Sequence, residues 1–294
     1  MLTLTITPAD HCRPVESLLR KLLPTATAGY LHQLLRSGHL LVGGAPATAD
    51  RPLRLGDTVT LKESGRTRAL LAKAPPALDI LGEDEQIVVV NKAPGLPVHR
   101  TAEAEDDLVT LGELFMAERG TPVKLRPVNR LDRGTSGATV LAKSSTSAGM
   151  FGRMVKETGF TKLYLAVVTG TPEQEMTVTD PLDGKEAETR FRTLHQGRGA
   201  ALLAVVPVTG RMHQIRQHLT LIGHPVLGDR RYRGPALADY PGHLLHSFRL
   251  GFRHPATGWQ RQFHAPLPAG FLAHLERLAG ARFTDILHTL PDLP

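Results

Sequence analysis

The sequence predicts an α+β fold in two parts, a small helix–hairpin unit followed by a much larger sheet-and-helix unit. Three observations lead there. The chain has 294 residues, 41% of them apolar, enough for one small and one large hydrophobic core. A stretch over 64–76 rich in Arg, Lys, Ala and Pro has no sustained apolar period and reads as a linker. Beyond it, strand and helix signals are mixed without the clean alternation of a doubly wound sheet. The expected domains are therefore 1–63 and 77–294.

In the first part, Pro14 can open a helix carrying Leu18, Leu19, Leu22 and Leu23 on one side. A second helix after Pro24 carries Leu31, Leu34 and Leu35 and stops at Gly38, a natural left-handed cap. His39 to Val42 then reads as a strand that turns at Gly43-Gly44, with Asp57 to Leu61 as its alternating partner. In the second part, Ile87 to Val90 is a continuous apolar strand ended by Asn91-Lys92-Ala93-Pro94-Gly95, and Gly137 to Ala142 and Leu163 to Val168 are further strands. Ser144 or Ser145 can cap a helix ending near Gly159, Thr209 one running to Gly223, and Pro268 to Gly280 closes as an amphipathic helix. The acidic run Glu83-Asp84-Glu85 reads as a solvated turn.

The net charge of +7 favours a polyanionic partner through counterion release, without separating RNA from DNA or an acidic surface. Between residues 11 and 66, eight Lys/Arg face four acids. The lone cysteine, Cys12, excludes an intrachain disulfide and a multi-cysteine zinc site. His213 and His218 are five apart with no His-Glu-x-x-His pattern, so no metal site is expected, and neither a Walker loop nor a dinucleotide fingerprint occurs. With no signal-like N-terminus and no run of about 18 apolar residues, the expectation is a cytoplasmic protein with no membrane partner, monomeric by default.

Three residues stand out chemically. Asp132 lies in a polar, glycine-containing turn before a strand, between Arg130 and Arg133, where positive neighbours favour a carboxylate in its ionised form. An Asx turn with surface ion pairs fits the same spacing. At 100° per residue, Met212, Ile215, Leu219 and Ile222 form an apolar stripe, and Arg216 falls inside it. An inward arginine asks for a buried acid, for which Asp132 is a candidate, unless it snorkels outward. Tyr164 shares one face of its strand with Lys162, a pairing that suits stacking on an extruded base as well as plain core packing.

Taken together, residues 78 to about 266 resemble the RluA-type pseudouridine synthases. The likeness is carried by Leu78-Asp79-Ile80-Leu81 with Val89 to Leu96, by Arg130-Leu131-Asp132 with Thr135-Ser136-Gly137, and by Lys162 to Ala166. It continues through Thr209 to Leu219 with Gly223, Pro225, Gly228-Asp229 and Tyr232, and more weakly through His246 and Phe252 to Pro255. Residues 1–63 resemble the α-L RNA-binding motif, from Leu18-Leu19-Arg20 through Leu34 to Gly38 and Val42-Gly43-Gly44 to Leu55-Gly56-Asp57-Thr58-Val59. The resemblance implies a mixed, largely antiparallel central sheet flanked by helices. It implies Asp132 as the carboxylate that attacks uridine, Arg216 as its partner, and Tyr164 as the residue that stacks on the base and helps remove the C5 proton. Arg130, Arg133, Lys162, Arg211, His213 and Arg36 are the RNA-binding candidates it marks. Ribosomal RNA of the large subunit is the favoured partner and transfer RNA the runner-up, with no cofactor. Asn129 stands where many members have histidine, which loosens substrate assignment by analogy.

Overall fold

A computed structural model describes residues 1–23, 26–71, 78–100, 106–157 and 159–290. The N-terminal part runs β1 (Leu2–Thr5), α1 (Val15–Leu22), α2 (Ala28–Arg36), β2 (Leu40–Val42), β3 (Ala45–Pro46) and β4 (Thr58–Leu61), its antiparallel strands in the order β1-β4-β2-β3. Gly43 and Gly44 take φ of +60° and +82°, the positive pair that a two-residue hairpin of right-handed twist requires. Leu18, Leu19, Leu31, Leu34, Leu40, Val42, Val59 and Leu61 form its core. β1 is not among the expected strands, although Leu2-Thr3-Leu4-Thr5 alternates apolar and polar residues. The expected linker 64–76 is also corrected: α3 (Gly65–Leu71) occupies its first half, and 72–77 lie outside the described residues. Ser64 Oγ accepts the Thr67 N–H at 3.1 Å, and the buried Thr67 hydroxyl lies 2.9 Å from Tyr30 Oη, so the local sequence is tied to α2 rather than left in solvent.

The larger part contains β5 (Ile80–Glu83), β6 (Ile87–Lys92), α4 (Leu108–Glu118), β7 (Arg126–Pro127), β8 (Ser136–Ala142), α5 (Ser145–Lys156), β9 (Phe160–Thr169), β10 (Glu175–Val178), β11 (Thr189–Gly197), β12 (Ala200–Pro207), α6 (Gln214–Leu221), β13 (Leu245–Arg253), β14 (Gln260–His264), α7 (Ala269–Ala279) and α8 (Phe283–Thr289). Its ten strands form one mixed sheet in the order β10-β11-β12-β9-β13-β8-β6-β5, with β14 on β13 and β7 on β8. Among the described residues only β8 and β13 pair in parallel, at Ser136–His246 and Gly137–Ser247. A Cβ on Gly137 would run into the Ser247 backbone, so this crossing needs glycine. Alternate residues of β9 feed opposite cores: Leu163 and Leu165 meet Phe271, Leu275 and Leu287, while Ala166 and Val168 meet Ile215 and Leu219. Helices thus cover both faces, as the α+β expectation requires.

Two local expectations change. Ser144 does cap α5, accepting the Ser147 N–H at 3.0 Å. Thr209 does not cap α6; the helix starts at Gln214, and Thr209 instead donates to Gln214 Oε1 at 2.7 Å. Met212 therefore precedes the helix and is 60% exposed, outside the stripe it was placed in. The acidic run is also different from a solvated turn, because Glu83 is buried. It accepts from Arg20 (2.9 Å), Arg119 (2.9 Å) and Lys143 (2.6 Å), and these cations outweigh burial to hold its carboxyl down at about 2. Arg20 comes from α1, and Arg13 pairs with Asp79, so buried ion pairs fasten the N-terminal part to the edge of the large sheet.

Candidate active site

Asp132 lies in the turn between β7 and β8, where its carbonyl accepts the Thr135 N–H at 3.0 Å. Arg216, on the first turns of α6, reaches it from below. The guanidinium is 5% exposed and donates from Nη1 to Asp132 Oδ2 at 2.7 Å. Its remaining edge is taken by Asp229, with Nε to Oδ2 at 2.6 Å and Nη2 to Oδ1 at 2.8 Å. Burial opposes the charge of Arg216, but Asp229 and Asp132 reverse the effect and raise its pKa. For Asp229, burial pushes upward and the Arg216 hydrogen bond and charge pull the carboxyl below its ordinary value.

Around this pair, His213 adopts a left-handed φ of +52° directly before α6. That turn aims Nε2 to within 3.6 Å of Asp132 Oδ1 and brings Nδ1 to 2.9 Å from Tyr232 Oη. Burial lowers the imidazole's pKa in spite of Asp132, which favours neutral His213 at pH 7. Arg216 also lies over the Tyr232 ring at 4.9 Å. Tyr164 is cross-strand from Ser247. Burial pushes its phenol up to about 12, with the Asp132 charge adding to the push, so it is a neutral hydroxyl at pH 7. Lys92 ends β6 with 1% exposure, and its Nζ donates toward the carbonyls of Ala93 (2.9 Å), Leu96 (2.6 Å) and Arg133 (3.2 Å). Burial brings it down to about 7 against the charge of Asp132. His243 Nε2 lies 2.7 Å from Thr135 Oγ1, and burial lowers this imidazole to about 4. Asp132, Arg133, His213, Arg216, Asp229 and His243 line one side or another of a cavity of about 530 Å³.

The cavity therefore gathers Asp132, Arg216, His213 and Arg133; Tyr164 does not line it, although the Asp132 charge reaches its phenol. The other candidates do not line it. Arg130 is exposed, Arg211 is exposed with Nε donating to the Glu186 carbonyl at 2.8 Å, and Arg36 ends α2 in the N-terminal part. Lys162 is half-buried two residues before Tyr164, and burial lowers its pKa. Sequence reasoning left Asp229, Tyr232, Lys92 and His243 without roles. A lysine closing an otherwise apolar strand was a signal for Lys92; Asp229 stood only within the Gly228-Asp229 stretch of the resemblance, and its partner is known only once α6 and the following turn are folded together. Asn129 turns out to be a backbone mimic. Buried beside β8, it accepts the Val140 N–H at 2.7 Å and donates to the Ala138 carbonyl at 3.3 Å, so the departure from histidine falls on the support of the turn.

Residues 86–221 match the family model described as RNA pseudouridylate synthase, a span that holds Asp132, Tyr164 and Arg216 and stops short of Asp229. An uncharacterized RNA pseudouridine synthase of Bacillus subtilis (strain 168), YlyB, is 34% identical over 273 residues, covering 84% of this chain and 88% of its own. The ribosomal large subunit pseudouridine synthase C of Escherichia coli (strain K12) is 30% identical over 313 residues, covering 94% of this chain and 96% of its own. Among solved structures, human RNA pseudouridylate synthase domain containing 4 aligns with a TM-score of 0.58 at 25% identity, over 68% of this chain and 92% of its own.

Proposed function

The chain belongs to the RluA family of RNA pseudouridine synthases, and from that premise we propose that it isomerises uridines of large-subunit ribosomal RNA with Asp132 as the nucleophile. The observation that carries this reading is the unequal engagement of the Asp132 oxygens. Oδ2 is held by Arg216 at 2.7 Å, whereas Oδ1 accepts no hydrogen bond from the described residues, with His213 Nε2 3.6 Å away, and Asp132 lines the cavity. An oriented carboxylate with one oxygen left over suits attack on the ribose C1′ of an extruded uridine. The C1′–N1 bond breaks as the Asp132–C1′ bond forms; the base turns, C5 bonds to C1′ as the Asp132–C1′ bond breaks and frees the carboxylate, and the C5 proton leaves while N1 gains one. Tyr164, a neutral phenol at pH 7, stacks on the base and takes up the C5 proton as its hydroxyl proton passes on to N1, so that the phenol ends neutral. Arg216 holds Asp132 in line, and Arg133 supplies positive charge at the cavity's edge. Because no electrons leave and no group is lost, the reaction needs no cofactor.

Large-subunit ribosomal RNA is favoured over transfer RNA because one of the relatives above bears that name. The N-terminal part, read as an α-L-like module with Arg36 on its RNA face, fits a structured RNA of that kind, and such a substrate places the work in the cytoplasm. The test is Asp132→Asn, which keeps the shape and removes the nucleophile. Tritium release from C5-labelled ribosomal RNA should fall at least a thousandfold with RNA binding retained within about threefold; turnover near the wild-type rate would refute the assignment.

A further inference from the structure

Beyond the Asp132–Arg216 pair, the turn Asp229–Gly234 presents a feature the reaction as described does not use. Asp229 N-caps this short turn, accepting the Tyr232 N–H at 3.3 Å, and its carbonyl accepts the Gly234 N–H at 2.8 Å. The Gly228 N–H bonds the Pro235 carbonyl at 2.7 Å, and a Cβ on Gly234 would strike the Val226 carbonyl. The turn is thus tightly fixed, and the same carboxylate that anchors it also anchors Arg216. On it stand Arg230 and Arg231, both exposed and both lining the cavity. Neither guanidinium makes a hydrogen bond or an ion pair with any described residue, although Arg231 lies 5.9 Å from the Tyr232 ring centroid and its charge reaches His213.

The charges around the cavity are layered. In the floor, one guanidinium serves two carboxylates, a surplus of one negative charge. At the rim stand two guanidiniums with no acid to satisfy them among the described residues, and like charges on adjacent residues of a fixed turn repel unless an anion lies between them. A nucleotide within a strand has the complementary layout: uracil and ribose are neutral, and the charge lies on the phosphodiesters to either side. We propose that Arg230 and Arg231 form a rim clamp for the phosphodiesters flanking the extruded uridine, holding backbone rather than reading a base. This rests on the site taking an extruded uridine, as proposed above. A clamp of this kind fixes the depth to which the nucleotide enters, because phosphate contacts position while base contacts specify.

The experiment measures tritium release from a C5-labelled large-subunit ribosomal RNA transcript between 50 and 200 mM KCl, with Arg230→Gln, Arg231→Gln, the double variant, the matching Lys variants, and Arg198→Gln as a control. Arg198 is exposed at the tip of the β11–β12 hairpin. The clamp requires the slope of log kcat/KM against log salt to shallow by about 0.7 per arginine removed, and by about 1.4 in the double variant. The loss should reside in KM, with Lys restoring the slope and Arg198→Gln leaving it at the wild-type value. Wild-type slopes in both Gln variants, an equal change from Arg198→Gln, or a loss carried by kcat alone would overturn the clamp while leaving Asp132 untouched. Absence of release by the wild-type enzyme would instead overturn the ribosomal-RNA reading and the clamp with it.

Discussion

Replacing Asp229 by Asn tests whether Asp132 acts alone or as the visible end of a three-residue unit. The side chain keeps its shape, but one accepting oxygen becomes an NH2 group that faces a guanidinium N–H. Arg216, 5% exposed, loses one of three charge-assisted hydrogen bonds and the carboxylate that compensates most of its charge. A charge-assisted bond contributes about 1.5–3 kcal/mol, and opening a buried pair from one side costs about 3–5 kcal/mol. With Asp132 still attached, the lower part of that range applies, about 3 kcal/mol at pH 7. The sign with pH is fixed by the direction of the shift. Asp229 is lowered in the folded state from 3.8, so its contribution is complete above that value and disappears as pH falls through the folded one. Urea unfolding of wild type and variant should therefore show a full gap at pH 7 and a narrowing gap below pH 4. Nη1 also loses its fixed direction, so kcat should fall about a hundredfold, equivalent to about 2.7 kcal/mol of barrier, with KM nearly unchanged. A kcat within threefold of wild type, together with a gap under about 1 kcal/mol, would refute the three-residue unit.

Two further outcomes follow from buried charges. Glu83 titrates at about 2 rather than 4.5 because Arg20, Lys143 and Arg119 outweigh its burial. That drop corresponds to about 3 kcal/mol of stability at pH 7, present above pH 4.5 and lost as pH falls toward 2. Glu83→Gln should be less stable by about that amount at pH 7, and urea curves showing the same deficit at pH 3 would contradict the reasoning. Lys92→Met removes the donor for three carbonyls around the Asp132 turn, which should cost about 2–3 kcal/mol and slow turnover. Because the folded lysine titrates at about 7 and the unfolded one at 10.5, wild type should gain stability relative to the variant as pH rises from 7 to 10; a constant difference over that range would count against it.

Much that depends on neighbours in sequence was legible. The Gly43-Gly44 hairpin, the Ser144 cap and the apolar strands over β6, β8 and β9 each follow from turn chemistry or alternation within a few residues. The inward position of Arg216 was legible for the same reason, since a helical stripe is a local pattern. What failed in that stripe was Met212, because the left-handed turn at His213 delays α6 to Gln214. The larger misreadings share a different cause. Glu83 looked solvated because the cations that enclose it come from residues 20, 119 and 143, and no local pattern joins those positions. The segment 64–76 looked like a linker because the contact that makes Gly65–Leu71 more than a loop is with Tyr30, thirty-seven residues back from Thr67. Ion pairs and hydroxyl contacts between distant segments leave little trace in spacing.

The same distinction separates the two aspartates on Arg216. Both lie in turns beside a glycine, Gly134 for Asp132 and Gly228 for Asp229, and both meet the same guanidinium. Asp229 is 2% exposed and engages both oxygens with Arg216, so its charge is spent on holding the arginine and capping a turn. Asp132 lines the cavity with a side chain 27% exposed, a single strong donor at Oδ2, and an Oδ1 that accepts no hydrogen bond from the described residues, His213 Nε2 standing 3.6 Å away. A carboxylate bonded on every side must break charge-assisted bonds before it can attack; one held by a single oxygen is oriented without being satisfied. On the proposed role of Asp132 as nucleophile, reactivity at this site is a property of how one arginine is divided between two acids. Asp229 takes two of its bonds so that the one left for Asp132 points in a single direction.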